Sequence, residues 1–101
     1  MDKRIDKIIN NLKEVYDPEI PVNIYDLGLI YNVSIGDDNT ANIIMTLTAP
    51  GCPVVDILLD EVTEAARKVK GIENVNVDLT FDPPWDKSMM SEEARLELGF
   101  F

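Results

Sequence analysis

Histidine is absent from this chain of 101 residues, and cysteine occurs once, as Cys52. Without an imidazole there is no Cys–His dyad, no Ser–His–Asp triad and no histidine-containing zinc site. A single thiol forms no internal disulfide, and alone it completes neither a structural zinc site nor an iron–sulfur site. Basic side chains are scarce: nine Lys and Arg stand against nineteen Asp and Glu, for a net charge of −10. A surface this acidic repels phosphate backbones and anionic membranes, and it suits partners with basic patches. No apolar run approaches the roughly 20 residues that span a bilayer. The amino-terminal run Met1-Asp2-Lys3-Arg4-Ile5-Asp6-Lys7 lacks the apolar stretch of a signal peptide. Together with the lack of disulfides, these absences point to a cytoplasmic protein.

What is present fits one small domain over residues 1–101. The hydrophobic fraction of 46% recurs in regular patterns, as expected of a globular rather than a disordered chain. Ile5, Ile8, Ile9, Leu12, Val15 and Tyr16 sit at helical spacing and predict a helix over 3–15, capped by Asp2 and ended by Asp17-Pro18-Glu19-Ile20-Pro21. Residues 28–35 alternate, with Leu29, Tyr31, Val33 and Ile35 on one face. After the turn 36–39, residues 41–48 alternate again with Ala41, Ile43, Met45 and Leu47, so the pair reads as a hairpin. A second helix is expected over 53–70, its charges ordered to match the helix dipole and Gly71 as its C-cap. A third strand follows over 73–81, with Val75, Val77, Leu79 and Phe81 on the buried face. Ser91 then caps a short helix over 92–98 that stops at Gly99. The order α-β-β-α-β-(α) predicts an α+β fold of two layers, with helices on one face of a small three-stranded mixed sheet. So small a sheet points to dimerisation or to a long C-terminal cover.

The lone cysteine lies in Thr48-Ala49-Pro50-Gly51-Cys52-Pro53, between the second strand and the second helix. Proline after cysteine suits a first helical position, which puts Cys52 at or beside the N-cap. There free N–H groups and the helix dipole favour a thiolate open to a metal or an electrophile. Equally, a free cysteine serves as a small buried hydrophobe. Thr48 is placed to donate to that sulfur, or is simply a strand threonine. Asp17 and Glu19 flank Pro18, either as a pair for a hard metal or a general base, or as solvated charges at a helix end. Asp26 precedes Leu27-Gly28 as a turn residue or a strand-end cap. Trp85, the one tryptophan, follows Asp82-Pro83-Pro84 and serves core packing or anchors a partner. Met89 and Met90 read as gap-fillers or as a flexible apolar contact.

Five runs taken in order resemble one family. They are Asp17-Pro18-Glu19; Asp26-Leu27-Gly28-Leu29-Ile30-Tyr31; Met45 through Pro53; Leu79-Thr80-Phe81-Asp82-Pro83-Pro84-Trp85; and Met90-Ser91-Glu92-Glu93-Ala94-Arg95 with Leu98-Gly99-Phe100. Together they are similar to the SufT/PaaD-like family of metal–sulfur cluster biosynthetic proteins. The resemblance implies a fold of the iron–sulfur-cluster-assembly type, like the C-terminal domain of NifU-like scaffolds. It implies a role in iron–sulfur cluster assembly, with Cys52 as the functional residue and Asp17, Glu19 and Thr48 as polar support. Implied partners are P-loop ATPase carriers, other assembly proteins and client apoproteins. PaaD-type members carry a longer C-terminal region with extra cysteines, which this chain lacks, so the resemblance favours the general type. A cluster or iron would be held transiently, with further ligands from carboxylates, a second copy, a partner or a small thiol, and no turnover is required. A pure adaptor with a structural Cys52 is the alternative. A thiol peroxidase or transferase is weakened by the absence of histidine and of a resolving cysteine.

Overall fold

The computed structural model describes residues 3–16, 22–47 and 55–99. Asp2, the expected first cap, and the Asp17 to Pro21 run lie outside the described residues. Helix α1, Lys3–Leu12, buries Ile8 and Leu12 from one stripe. It is shorter than the expected 3–15. After Leu12 the chain tightens into turns, and the Val15 carbonyl accepts the Ile24 N–H at 2.8 Å while Tyr16 bridges Asn23. A backbone committed to that pairing cannot continue the helix.

Strands β1 (Ile30–Ile35) and β2 (Thr40–Met45) form the antiparallel hairpin, and β3 (Asn74–Leu79) joins β2 in parallel, giving the order β1-β2-β3. Parallel pairing requires a crossover, supplied by α2, Val55–Arg67. Because α2 connects the end of β2 to the start of β3, its N-terminal half lies toward the ends of both strands. The start expected at residue 53 lies outside the described residues. The regular helix ends at Arg67, and turns through Gly71 at φ +95° lead into β3.

Central strand β2 sets the two layers. Ala41, Ile43 and Met45 have no exposed surface and face the helices, with Val62, Ala65 and Ala66 of α2 buried in the same core. Each large aliphatic side chain so buried contributes about 1.5–3 kcal/mol relative to exposure. The opposite face carries Asn32, Ser34, Asn42, Asn76 and Asp78. The α+β architecture read from the sequence, with helices on one face of a mixed sheet, is thus borne out.

Two details depart from the expected pattern. The β1 register shifts between Ile30 and Asn32, so that Ile30, Val33 and Ile35 oppose Met45, Ile43 and Ala41. The extra residue, Tyr31, leaves the apolar row and donates its hydroxyl to the Pro83 carbonyl at 2.7 Å. On β3, which stops at Leu79 short of the expected residue 81, Val75 and Val77 pack on the core, but Leu79 is 37% exposed, and Phe81 beyond the strand is 41% exposed rather than buried. As an edge strand, β3 has a neighbour on one side only, and its end stays open to solvent.

The C-terminal segment straps across the loop before β1. Trp85 Nε1 donates to the Leu27 carbonyl at 2.7 Å, and the Ser91 N–H donates to Asp26 O at 2.7 Å. A 3₁₀ turn, Lys87–Met89, lies between them. Asp86 caps it, accepting from the Ser88 hydroxyl at 2.6 Å and from the Ser88 N–H at 3.3 Å; these bonds hold its carboxyl below the usual carboxylate range. That contribution is present above the ordinary carboxylate pKa and is lost as pH falls through the lowered one. Helix α3, Glu92–Leu98, starts where the Ser91 hydroxyl accepts the Ala94 N–H and ends at left-handed Gly99, as its sequence predicts.

Candidate functional site

Cys52, Thr48, Asp17 and Glu19 lie outside the described residues. The described residues fix where their two segments attach. Segment 48–54 follows Leu47, two residues past the end of β2, and rejoins the described chain at α2. Segment 17–21 leaves after Tyr16 and returns at Val22.

A ladder of backbone hydrogen bonds ties these roots together. The Thr46 N–H donates to Leu29 O at 2.8 Å, the Leu29 N–H to Ile24 O at 3.1 Å, and the Ile24 N–H to Val15 O at 2.8 Å. The end of β2 and the end of α1 are therefore held at the same end of the sheet. On the other side of β2, the Thr80 N–H donates to Met45 O at 2.8 Å, aligning the exits of the two parallel strands. Loops at the carboxyl ends of parallel strands are the usual place for a binding site in an open α/β unit.

At this end sits a residue that the sequence pattern did not flag. Thr46 has no exposed surface, and among the described residues its Oγ1 has no hydrogen-bond partner. Strict alternation after Met45 would turn Thr46 toward the polar face, so nothing in the sequence marks it as buried. A buried hydroxyl without a partner costs about 1–3 kcal/mol. Thr46→Val is expected to raise stability by about 1 kcal/mol in urea unfolding, because the replacement keeps the shape and removes the orphan group.

Asp26 resolves as a turn residue. Its Oδ2 accepts from Asn23 Nδ2 at 2.7 Å, and its N–H donates to Asn23 Oδ1 at 2.9 Å. Trp85 is half-buried with its ring packed on the core, and Met90 is buried. Met89 backs onto Gly28, and its sulfur lies 3.6 Å from the Tyr31 hydroxyl. Trp85→Phe is expected to cost about 1 kcal/mol, seen as a lower urea midpoint, through loss of the bond to Leu27. Among the described residues, no group of three or more Cys, Asp or Glu is arranged to hold a metal ion. None of the described helices is long and apolar enough to cross a membrane.

Residues 5–79 match the iron–sulfur cluster assembly protein family. The chain belongs to this family. Among relatives, it is 58% identical over 93 residues to an Fe-S protein maturation auxiliary factor of Porphyromonas gingivalis, covering 92% of this chain and 89% of that one. It is 38% identical over 85 residues to the auxiliary factor SufT of Staphylococcus aureus, covering 84% of this chain and 97% of that one. A crystal structure of a domain of unknown function from Bacillus anthracis superposes with a TM-score of 0.89 at 35% identity, covering 98% of this chain and 94% of that chain. The SufT/PaaD-like resemblance drawn from the motifs is borne out. Within the iron–sulfur cluster assembly family match lie both rooted segments and the ladder between them, whereas Trp85 and the strap fall beyond residue 79.

Proposed function

We propose that this chain, acting as one domain over residues 1–101, is a cytoplasmic accessory factor in iron–sulfur cluster assembly. It takes up iron or a cluster transiently through the Cys52 thiolate and passes it to client apoproteins. The observation that supports the reading is the backbone ladder from Thr46 through Leu29 and Ile24 to Val15, which joins the described residues two positions before Thr48 and two positions before Asp17. Thr48 orients the sulfur. Asp17 and Glu19 shape a polar surround and offer hard oxygen ligands. With one thiol and no imidazole in the chain, the ligand set is incomplete, which suits cargo that must leave. The missing ligands come from a second copy, an assembly protein such as a P-loop ATPase carrier, or the client. No step requires turnover, so the protein is a carrier and not an enzyme.

Alkylation of the native protein tests the role of Cys52. A carrier cysteine reacts with iodoacetamide in the folded state. A sulfur that reacts only after unfolding would instead make Cys52 structural. The chain would then be an adaptor, with Trp85 and the acidic surface as the contacts that recruit clients or an ATPase.

A further inference from the structure

Helices α1 and α2 leave a cleft of 520 Å³ between them, lined by Asn11, Glu14, Val15, Asp60, Glu61, Glu64, Ala65 and Lys68. Its floor is apolar, from Val15 and Ala65, and is closed on one side where Asn11 Nδ2 donates to the Ala65 carbonyl at 2.9 Å. Its walls carry four carboxylates and a single ammonium. Among the described residues, Glu14, Asp60 and Glu61 have no ion-pair partner, and Glu64 has only an exposed contact of 3.5 Å to Arg67. One turn before Glu61 on α2, outside the cleft lining, Ile57 is 61% exposed. An acidic, apolar-floored groove between two helices, with an exposed apolar side chain on the same helix one turn away, suits a helix-in-groove partner of opposite charge.

We infer that this cleft docks a basic amphipathic helix of a partner protein, its Lys or Arg side chains meeting Glu14, Asp60, Glu61 and Glu64 and its apolar stripe seated over Val15, Ala65 and Ile57. Charge decides the occupant. A second copy carries the same net charge of −10 and would set carboxylates against carboxylates, whereas a basic helix gains attraction at every wall. The upper end of the cleft, at Glu14 and Val15, is the root of segment 17–21, so the docked partner is held next to the proposed cargo site. The inference goes beyond the carrier reading and does not need Cys52.

The probe is a synthetic helical peptide with lysines along one side and a leucine stripe along the other, followed by fluorescence anisotropy and by amide NMR shifts. Two triple variants remove equal charge from exposed positions: Asp60→Asn/Glu61→Gln/Glu64→Gln in the cleft, and Asp37→Asn/Asp38→Asn/Asp78→Asn far from it. The cleft triple is expected to weaken binding at least about tenfold, while the distal triple weakens it less than about threefold and added salt weakens it throughout. Shifts are expected to concentrate on Asn11, Glu14, Ala65 and Lys68, and Cys52→Ser is expected to bind as wild type, which separates this inference from the carrier mechanism. Equal losses in both triples, or shifts scattered over the acidic surface, would overturn it. So would a dimer seen by sedimentation that the cleft triple abolishes, since that would give the groove to a second copy.

Discussion

Gly28→Ala is expected to lower stability by about 3 kcal/mol and to loosen the whole C-terminal strap. Gly28 sits at φ +83°, where a side chain costs about 1–2 kcal/mol. The added Cβ would also collide with the carbonyl of Met89, and that obstacle is main chain, not a side chain free to rotate away. Overpacking of this kind adds about 1–3 kcal/mol. Relief requires residues 83–91 to lift from the loop, at the expense of the bonds from Trp85 to Leu27 and from Ser91 to Asp26. Gly99→Ala is the internal control. Gly99 has φ +77°, but nothing lies within 4 Å of a Cβ built there, so only the conformational cost of about 1 kcal/mol is expected. Urea unfolding gives both values, and hydrogen exchange at residues 83–91 reports the strap. Equal losses for the two variants would mean that the Met89 approach is soft and that the strap does not depend on it.

Cys52→Ser is expected to reduce maturation of a client iron–sulfur enzyme at least about tenfold while leaving the unfolding midpoint nearly unchanged. A hydroxyl is close in size to a thiol, yet it is not ionised near neutral pH and is a poor match for iron where a thiolate is favoured. No other cysteine and no histidine exists in the chain to substitute for it. Cell extracts carrying the variant in place of wild type, assayed for aconitase-type activity, give the first number, and a thermal melt of the purified variant gives the second. Full client maturation by Cys52→Ser would leave only the adaptor reading.

Much of the fold was legible because periodicity is a strong signal where one face is buried. The run Ala41, Ile43, Met45 alternates without interruption, and all three are fully buried. The charge order in α2, the Ser91 cap and the Gly99 stop were equally plain. Tyr31 was not. Leu29, Ile30 and Tyr31 are all apolar, so either register satisfies the alternation, and only the pairing with β2 selects the bulge. Leu79 and Phe81 continue the alternation, but the edge strand ends at Leu79, and periodicity cannot tell a covered end from an open one. Thr46 and the Gly28–Met89 approach arise from segments distant in sequence meeting, which no local pattern encodes. Cys52, Thr48, Asp17 and Glu19 were legible from residue type and family motif. The structure adds that Thr46 and Val15, each two residues before these segments, are joined through Leu29 and Ile24.

Anaerobic reconstitution of wild type and Cys52→Ser with ferrous iron and sulfide, followed by transfer to an apo-ferredoxin, tests the central claim most directly. If Cys52 is the cargo ligand, wild type gains a labile visible chromophore and passes it on, and Cys52→Ser does neither. Equal uptake and transfer by both proteins, or uptake by neither, would contradict a carrier role for Cys52.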